Sequence, residues 1–440
     1  MVILVKVVQL LLSLSILVIF HEFGHFLAAR IFKTRVEKFY LFFDPWFSLF
    51  KFKKGETEYG VGWLPLGGYV KISGMIDESM DKEAMKLPPQ PYEFRAKPSW
   101  QRLIIMLGGV TVNVLLAIGI YVVMLAAWGE QYLPNTEVKY GITVDTLGQK
   151  LGLKNGDKIL SLDNKPVDDF FRIPATIILE NVQNIQVQRD SQQVNVVIPR
   201  ELISQVVKHK SPDFISVRIP FEASDFAPGS AAKKAGMQVG DRIVGLNGVP
   251  TLYFDEFKSA VQKHKSEKVN VAVLRGTDTV TLAVNVSDRG LIGVAPKAPA
   301  GYFTFKEHSY SIFQAIPAGT VKAYEKTADY LKSLKLLFNP EVKAYESVGG
   351  FITIGSIFPS VWDWEAFWSL TAFLSLMLAV LNILPIPALD GGHVMFLLYE
   401  IISGRKPSDK FMEYAQIVGM VLLFGLLICA NGNDIIKLFR

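Results

Sequence analysis

His21-Glu22-Phe23-Gly24-His25 is the arrangement in this sequence best suited to chemistry. On a helix, positions four apart lie on one face, so both imidazoles can reach one zinc ion while Glu22 stands beside it as a proton acceptor. Paired histidines also occur as hydrogen-bonded packing residues, with a nearby glutamate reaching to the interface. Position sharpens the reading. The motif continues residues 2–20, VILVKVVQLLLSLSILVIF, which are almost wholly apolar and long enough to span hydrocarbon. An ionisable residue near the centre of a bilayer costs roughly 2.5–3.5 kcal/mol, so three within five positions point to a function.

A catalytic zinc needs a third protein ligand and one open position. The single cysteine, Cys429, sits in an apolar run and reads as a small buried hydrophobe, which excludes a disulfide framework and a cysteine-based zinc cluster. The third ligand must therefore come from another membrane segment. Asn382-Ile383-Leu384-Pro385-Ile386-Pro387-Ala388-Leu389-Asp390-Gly391-Gly392-His393 supplies Asp390. Its two prolines break the helix, and Asp390, Gly391 and Gly392 are expected in irregular backbone. At membrane depth such backbone is tolerated only where protein buries it or it lines a watery cavity. His393 should lie one turn past Asp390, as a supporting or packing residue and not a fourth ligand. Asn382, a carboxamide beside a broken helix, reads either as a clamp on an unwound peptide or as an interhelical polar contact. Depth agrees: His21 lies about 19 residues, roughly 28 Å, along the first span, and Asp390 about 23 residues along a span running the same way.

The elements that must position these residues are membrane helices. Half of the 440 residues are apolar and only a fifth are charged, too greasy for an ordinary soluble enzyme. The 46 basic and 41 acidic residues give a dispersed net charge of +5, which does not suggest a nucleic-acid surface. Besides residues 2–20, apolar runs cover Leu103–Trp128, Phe367 to about Leu384, and Ile417–Ala430. The first run has only Lys6 ahead of it and no small-residue cleavage site, so it reads as a retained span and not a leader. Arg30, Lys33, Arg35 and Lys38, then Lys97 and Arg102, then Arg405, Lys406 and Lys410 place three links in the cytoplasm. Both termini and roughly 130–365 then fall on the other side.

That long middle changes character, with short β-rich stretches, turn glycines and an internal repeat. LGLKNGDKILSLDNKP (151–166) echoes AGMQVGDRIVGLNGVP (235–250), 84 residues later. The shared G-D-x-I-x-x-L pattern resembles PDZ domains, which bind extended peptides by strand addition. A pair that only spaces or shields other parts fits equally well. Tyr310–Phe338 has helical periodicity, expected as an amphipathic helix on the outer membrane surface or as a core helix of a soluble lobe.

HEFGH in the first span, N-x-x-P-x-P-x-L-D-G-G in the third, and tandem PDZ-like repeats between them resemble the site-2 protease family, in its bacterial sigma-E-regulating form, over essentially the whole chain. The resemblance implies a polytopic α-helical membrane protein with four transmembrane helices, a membrane-associated β-hairpin and two inserted β-rich PDZ-like domains. It implies an intramembrane zinc (Zn2+) metalloprotease of the bacterial inner membrane, with His21, His25 and Asp390 as metal ligands and Glu22 as catalytic base. Asn382 and Pro385 would help hold substrate, and Arg102 and Asn113 would belong to the second-span pattern. Gly55–Gly74, with Pro65-Leu66-Gly67-Gly68-Tyr69, would be the re-entrant hairpin, unless it is a cytoplasmic β-turn without a substrate role. Substrates would be single-pass transmembrane proteins in the lipid bilayer, such as an anti-sigma factor trimmed outside or remnant signal peptides, whose ectodomains the PDZ-like pair would contact or filter by size. No nucleic acid partner is implied.

The expected layout is a first transmembrane helix (1–30), a cytoplasmic or re-entrant β region (31–100), a second helix (101–129) and PDZ-like domains at 130–219 and 220–300. A periplasmic amphipathic region (301–365), a third helix (366–403), and a cytoplasmic link with the fourth helix (404–440) complete it. Two departures from the family pattern stand out: Gly108-Gly109-Val110 and Gly349-Gly350-Phe351, both where Gly-Pro is usual. Neither is expected to touch a ligand. A membrane-anchored PDZ scaffold with a vestigial metal site, and a zinc transporter, are the competing readings; the spans show no inverted repeat of the kind a transporter would carry.

Overall fold

The structure, a computed structural model, describes residues 2–65, 67–75, 88–199, 202, 205, 214–337 and 349–438. Leu66 and Phe338, and the segments 76–87 and 338–348, lie outside the described residues, as do most of 200–213. The chain forms two compact units, one of residues 1–129, 309–334 and 348–440, the other of 130–308 and 335–347.

The first unit contains helices α1 (Val2–Ile31), α2 (Ser99–Trp128), α3 (Ile312–Leu337, apart from its last residues), α4 (Phe351–Ile357), α5 (Trp364–Ile383), α6 (Asp390–Ser403) and α7 (Asp409–Leu438). Among the described residues four helices, α1, α2, α5 and α7, are long and apolar enough to cross a membrane. The fourth runs well beyond the expected 417–430, and Cys429 is exposed on it, not buried.

Because a membrane helix is greasy all round, its inward face is marked by small and polar residues. On α1 that face is Gln9, Ser13, Leu17, His21, Gly24, His25 and Ala28, spaced by three or four, while Leu4, Leu11, Phe20 and Phe23 face outward. Polar side chains on this face reach partners beyond α1, as a low-dielectric interior favours, although Gln9 Oε1 is buried without one. Gln9 Nε2 donates to Pro359 O at 2.9 Å, Thr371 Oγ1 to Ser13 Oγ at 3.0 Å, and Ser375 Oγ to Asn113 O at 2.7 Å. Where α1 crosses α2, Gly24 and Gly108 bring the two backbones into contact; a methyl group on either would run into the other's carbonyl. On α3, Gly319 lies against Val122, and Ala323 joins Ala117, Ile120 and Tyr121 in one buried cluster. The helix belongs to the unit that holds the apolar helices and not to a separate soluble lobe, and small residues on one face let it pack on α2.

Between α1 and α2 lie strands β1 (Val36–Leu41), β2 (Phe43–Lys54), β3 (Thr57–Leu64) and β4 (Tyr69–Ile72), in the order β2-β3-β1-β4. This corrects the expected 55–74 hairpin. The strands it contains, β3 and β4, do not pair; β1 lies between them, parallel to β3 and antiparallel to β4. The antiparallel hairpin is β2–β3, closed at Gly55 with φ 64°. The 65–69 connection thus crosses the sheet, and β4 ends as an edge strand.

In the second unit the two repeats fold alike. Strands 192–197, 184–189, 158–162 and 165–166 pair in the same order as 278–285, 268–275, 242–246 and 249–250. Each copy has an irregularity at the same place, between Ile159 and Ser161 and between Ile243 and Gly245. Each also carries the same buried tie. Arg189 bonds both oxygens of Asp157 at 2.8 Å and reaches Gly152 O, while Arg275 holds Asp241 at 2.7 and 2.8 Å and reaches Gly236 O.

The Arg275 hydrogen bonds hold the Asp241 carboxyl below its ordinary value, against the opposing effect of burial. A depressed folded value stabilises above the unfolded pKa and is lost as pH falls through the folded one. Asp241→Ala should cost the second repeat about 2 kcal/mol at neutral pH. Hydrogen exchange at the 242–246 amides would report it, and the difference from wild type should shrink only on acidification below the ordinary value of 3.8.

Candidate metal centre

The site is assembled from α1, α2 and the join between α5 and α6. The α5 helix stops at Ile383 because Pro385 and Pro387 can neither donate the next helical hydrogen bonds nor let their predecessors stay helical. Leu384–Leu389 forms a tight loop closed by Ile386 N to Leu384 O (2.7 Å) and Leu389 N to Ile386 O (3.0 Å), with Ala388 at φ 88°. The irregular backbone ends earlier than the sequence suggested: Asp390, Gly391 and Gly392 are the first turn of α6. Both glycines are required there, since a Cβ on Gly391 would meet Ile383 O and Leu384 O, and one on Gly392 would meet Ile386 O and Pro387. The fold-back turns Asp390 towards α1.

There Asp390 Oδ2 lies 3.2 Å from His21 Nε2 and 3.2 Å from His25 Nε2, and the two nitrogens are 3.3 Å apart. The sequence separation is more than 360 residues, yet His21, His25 and Asp390 form one group able to hold a metal ion. The opposite ring nitrogens fix the tautomers. His25 Nδ1 donates to Ile105 O at 2.9 Å, which leaves Nε2 with a bare lone pair. Asn113 places its carboxamide 3.2 Å from His21 Nδ1, and its Oδ1 is buried without a partner. A half-turn of that amide gives the oxygen to Nδ1–H and frees the second Nε2 in the same way. Asp390 Oδ2 is likewise buried and accepts no hydrogen bond.

Three lone pairs converging with no proton between them repel one another unless a cation sits among them. A tetrahedral zinc with bonds of about 2.0–2.1 Å sets its ligands about 3.3–3.4 Å apart, which the observed triangle matches. The donor set therefore fits zinc, with one position left over.

Glu22 is half-buried and lines a cavity of about 640 Å³ with His21, His25, Asp390, His393, Met106 and strand β4. Gly68 sits directly over it; a Cβ there would meet Val18 Cγ1 at 2.6 Å, Tyr40 O at 2.7 Å and Glu22 Cγ at 3.4 Å. On the same wall Tyr69 donates to Asp44 Oδ1 at 2.8 Å. Burial first, and then Asp44, push the Tyr69 phenol up from its ordinary value, so it stays a donor. Asn382 Nδ2 lies 3.3 Å from His21 Nε2, beside the site, whereas Pro385 is exposed and off the cavity wall. Arg102 is placed away from the site, tying Ser99 and Glu400 together at the start of α2.

One expectation fails here. Gly109, noted only as a departure from Gly-Pro, faces both rings: a Cβ on it would press on His25 Nε2, His21 Cε1 and His21 Nδ1. The adjoining glycines in an otherwise bulky apolar span were the available signal. Gly350, at the other departure, touches no ligand; its N–H donates to Asp434.

The profile of Peptidase family M50 matches residues 9–426. A putative zinc metalloprotease of Neisseria meningitidis is 26% identical across 97% of this chain and 98% of its own length. The regulator of sigma-E protease of Salmonella typhimurium is 27% identical over the same shares, and a putative zinc metalloprotease of Treponema pallidum is 26% identical over 99% and 100%.

Gly109→Ala should displace both imidazoles and weaken zinc binding about 10–100-fold, the range found when groups supporting metal ligands are disturbed. Competition with a chromophoric chelator would measure it, with Gly119→Ala, whose Cβ would meet open space, as the control.

Proposed function

The chain belongs to peptidase family M50 and is a site-2 type zinc metalloprotease, and from that premise we propose that it hydrolyses peptide bonds inside transmembrane segments of single-pass membrane proteins. The observation that carries the reading is the triangle of His21 Nε2, His25 Nε2 and Asp390 Oδ2, with sides of 3.2–3.3 Å, at the wall of a cavity. These three residues would hold zinc, with Asn113 and Ile105 O keeping the rings in the ligating tautomer. Bound there, zinc would acidify a water molecule and polarise the scissile carbonyl.

The chain's own residues do the rest. Glu22 shares the cavity wall without joining the ligand triangle, so its carboxylate takes the proton from the attacking water and passes it to the leaving amide nitrogen. Met106 and Leu389 form apolar wall that limits access of bulk water. The substrate amides begin locked in helical hydrogen bonds, and once unwound they need partners that hydrocarbon cannot provide. Strand β4, at the sheet edge and on the cavity wall, offers main-chain groups for pairing. Asn382, beside His21, would clamp the unwound segment, and Pro385 would act by stopping α5 so that Asn382 stands at a helix end.

By the basic flanks, the site would stand near the cytoplasmic face of an inner membrane, with both termini and the two PDZ-like repeats on the periplasmic side. Its substrates would include an anti-sigma factor, with remnant signal peptides a second class, and the repeats would exclude untrimmed ectodomains.

Glu22→Gln should keep about one zinc per chain while cleavage of a model transmembrane helix falls about 10²–10⁴-fold. Zinc lost together with activity would instead make Glu22 part of the ligand set.

A further inference from the structure

The fourth span brings to the cavity a polar side chain that the reaction just described does not use. Gln416, on α7, is 6% exposed and lines the same cavity as His21, Glu22, Asp390 and strand β4. Its carboxamide has no hydrogen-bond partner among the described residues, and its atoms are not sealed within the protein interior. A primary amide kept in an apolar helix without a partner is unfavourable, which makes its place on this wall informative.

Gly419 explains how α7 comes so near. It lies three residues on, on the same face as Gln416, and a Cβ there would overlap Pro387 O in the loop that precedes Asp390. Only a glycine lets the α7 backbone seat against that loop, and the seating carries Gln416 to the cavity. An extended peptide paired with β4 has a second edge whose N–H and C=O groups still need partners. A carboxamide is a neutral side chain able, through separate atoms, both to donate and to accept along such an edge.

We propose that Gln416 is a positioning residue for the substrate main chain, with Nε2 donating to a substrate carbonyl and Oε1 accepting from a substrate N–H near the scissile bond. The proposal rests on the reading of the site as a peptide-bond hydrolase. It assigns to α7 a direct part in substrate recognition.

The test uses the full zinc-loaded chain in detergent and a synthetic transmembrane peptide. Single esters replace backbone amides one at a time around the cleavage site, each removing one N–H. Gln416→Leu should retain zinc and lower kcat/KM about 10–100-fold, the worth of the two hydrogen bonds it removes. One ester should cost the wild type about tenfold and cost Gln416→Leu nothing, while Gln416→Glu, which keeps the acceptor, should remain sensitive to it. Equal ester effects in wild type and Gln416→Leu, or unchanged cleavage by Gln416→Leu, would overturn the assignment and leave the hydrolase reading standing. A zinc-loaded wild type that leaves the parent peptide whole would overturn both.

Discussion

Two helix backbones touching at Gly24 and Gly108 set the constraint on which the site depends. At that separation the α2 backbone is near enough for Ile105 O to accept a hydrogen bond from His25 Nδ1 and for Asn113 to reach His21 Nδ1. The same closeness leaves no room for a side chain at Gly109, which lies on the two rings. Both imidazoles are thus aimed by α2 while being carried by α1. Asp390 is brought to the two imidazoles by a different device, a proline-broken helix that folds back through Gly391 and Gly392. Convergence of three lone pairs is costly without a cation, so a metal bound there and the packing would support each other.

The membrane gives the polar residues their meaning. In water Ser13, Thr371 and Ser375 would be unremarkable; in hydrocarbon they tie α1, α2 and α5 together, and Gln9 ties α1 to the segment before α5 at Pro359. The sheet before α2 contributes by shape. Gly68 lets the β3–β4 connection lie across α1 at Glu22, which leaves β4 as the open edge beside Glu22 and the two histidines. The duplicated Asp–Arg ties show the two repeats of the other unit to be copies of one design, down to the carbonyl each arginine reaches.

Much of this was legible in the residues. HEFGH on an apolar helix, a carboxylate after a proline break at matching depth, and the repeated Gly-Asp pattern each encode local geometry that chain physics reads directly. What was not legible depends on tertiary approach. Strand order cannot be read from a glycine-rich run, so Gly55–Gly74 looked like one hairpin when β1 separates its strands. Gly109 looked neutral because a glycine announces nothing about which atoms occupy the space it leaves. The apolar run of the fourth span begins at Ile417, one residue past Gln416, and hydropathy passed over the side chain that reaches the cavity.

The central claim is that two imidazoles and one carboxylate converge on a single zinc. X-ray absorption at the zinc edge of the detergent-purified protein tests it most directly. The account predicts two nitrogen ligands with imidazole scattering and oxygen ligands at about 2.0–2.1 Å, without sulfur, and loss of one oxygen contribution in Asp390→Ala. A shell without imidazole, or a spectrum that Asp390→Ala leaves unchanged, would contradict it.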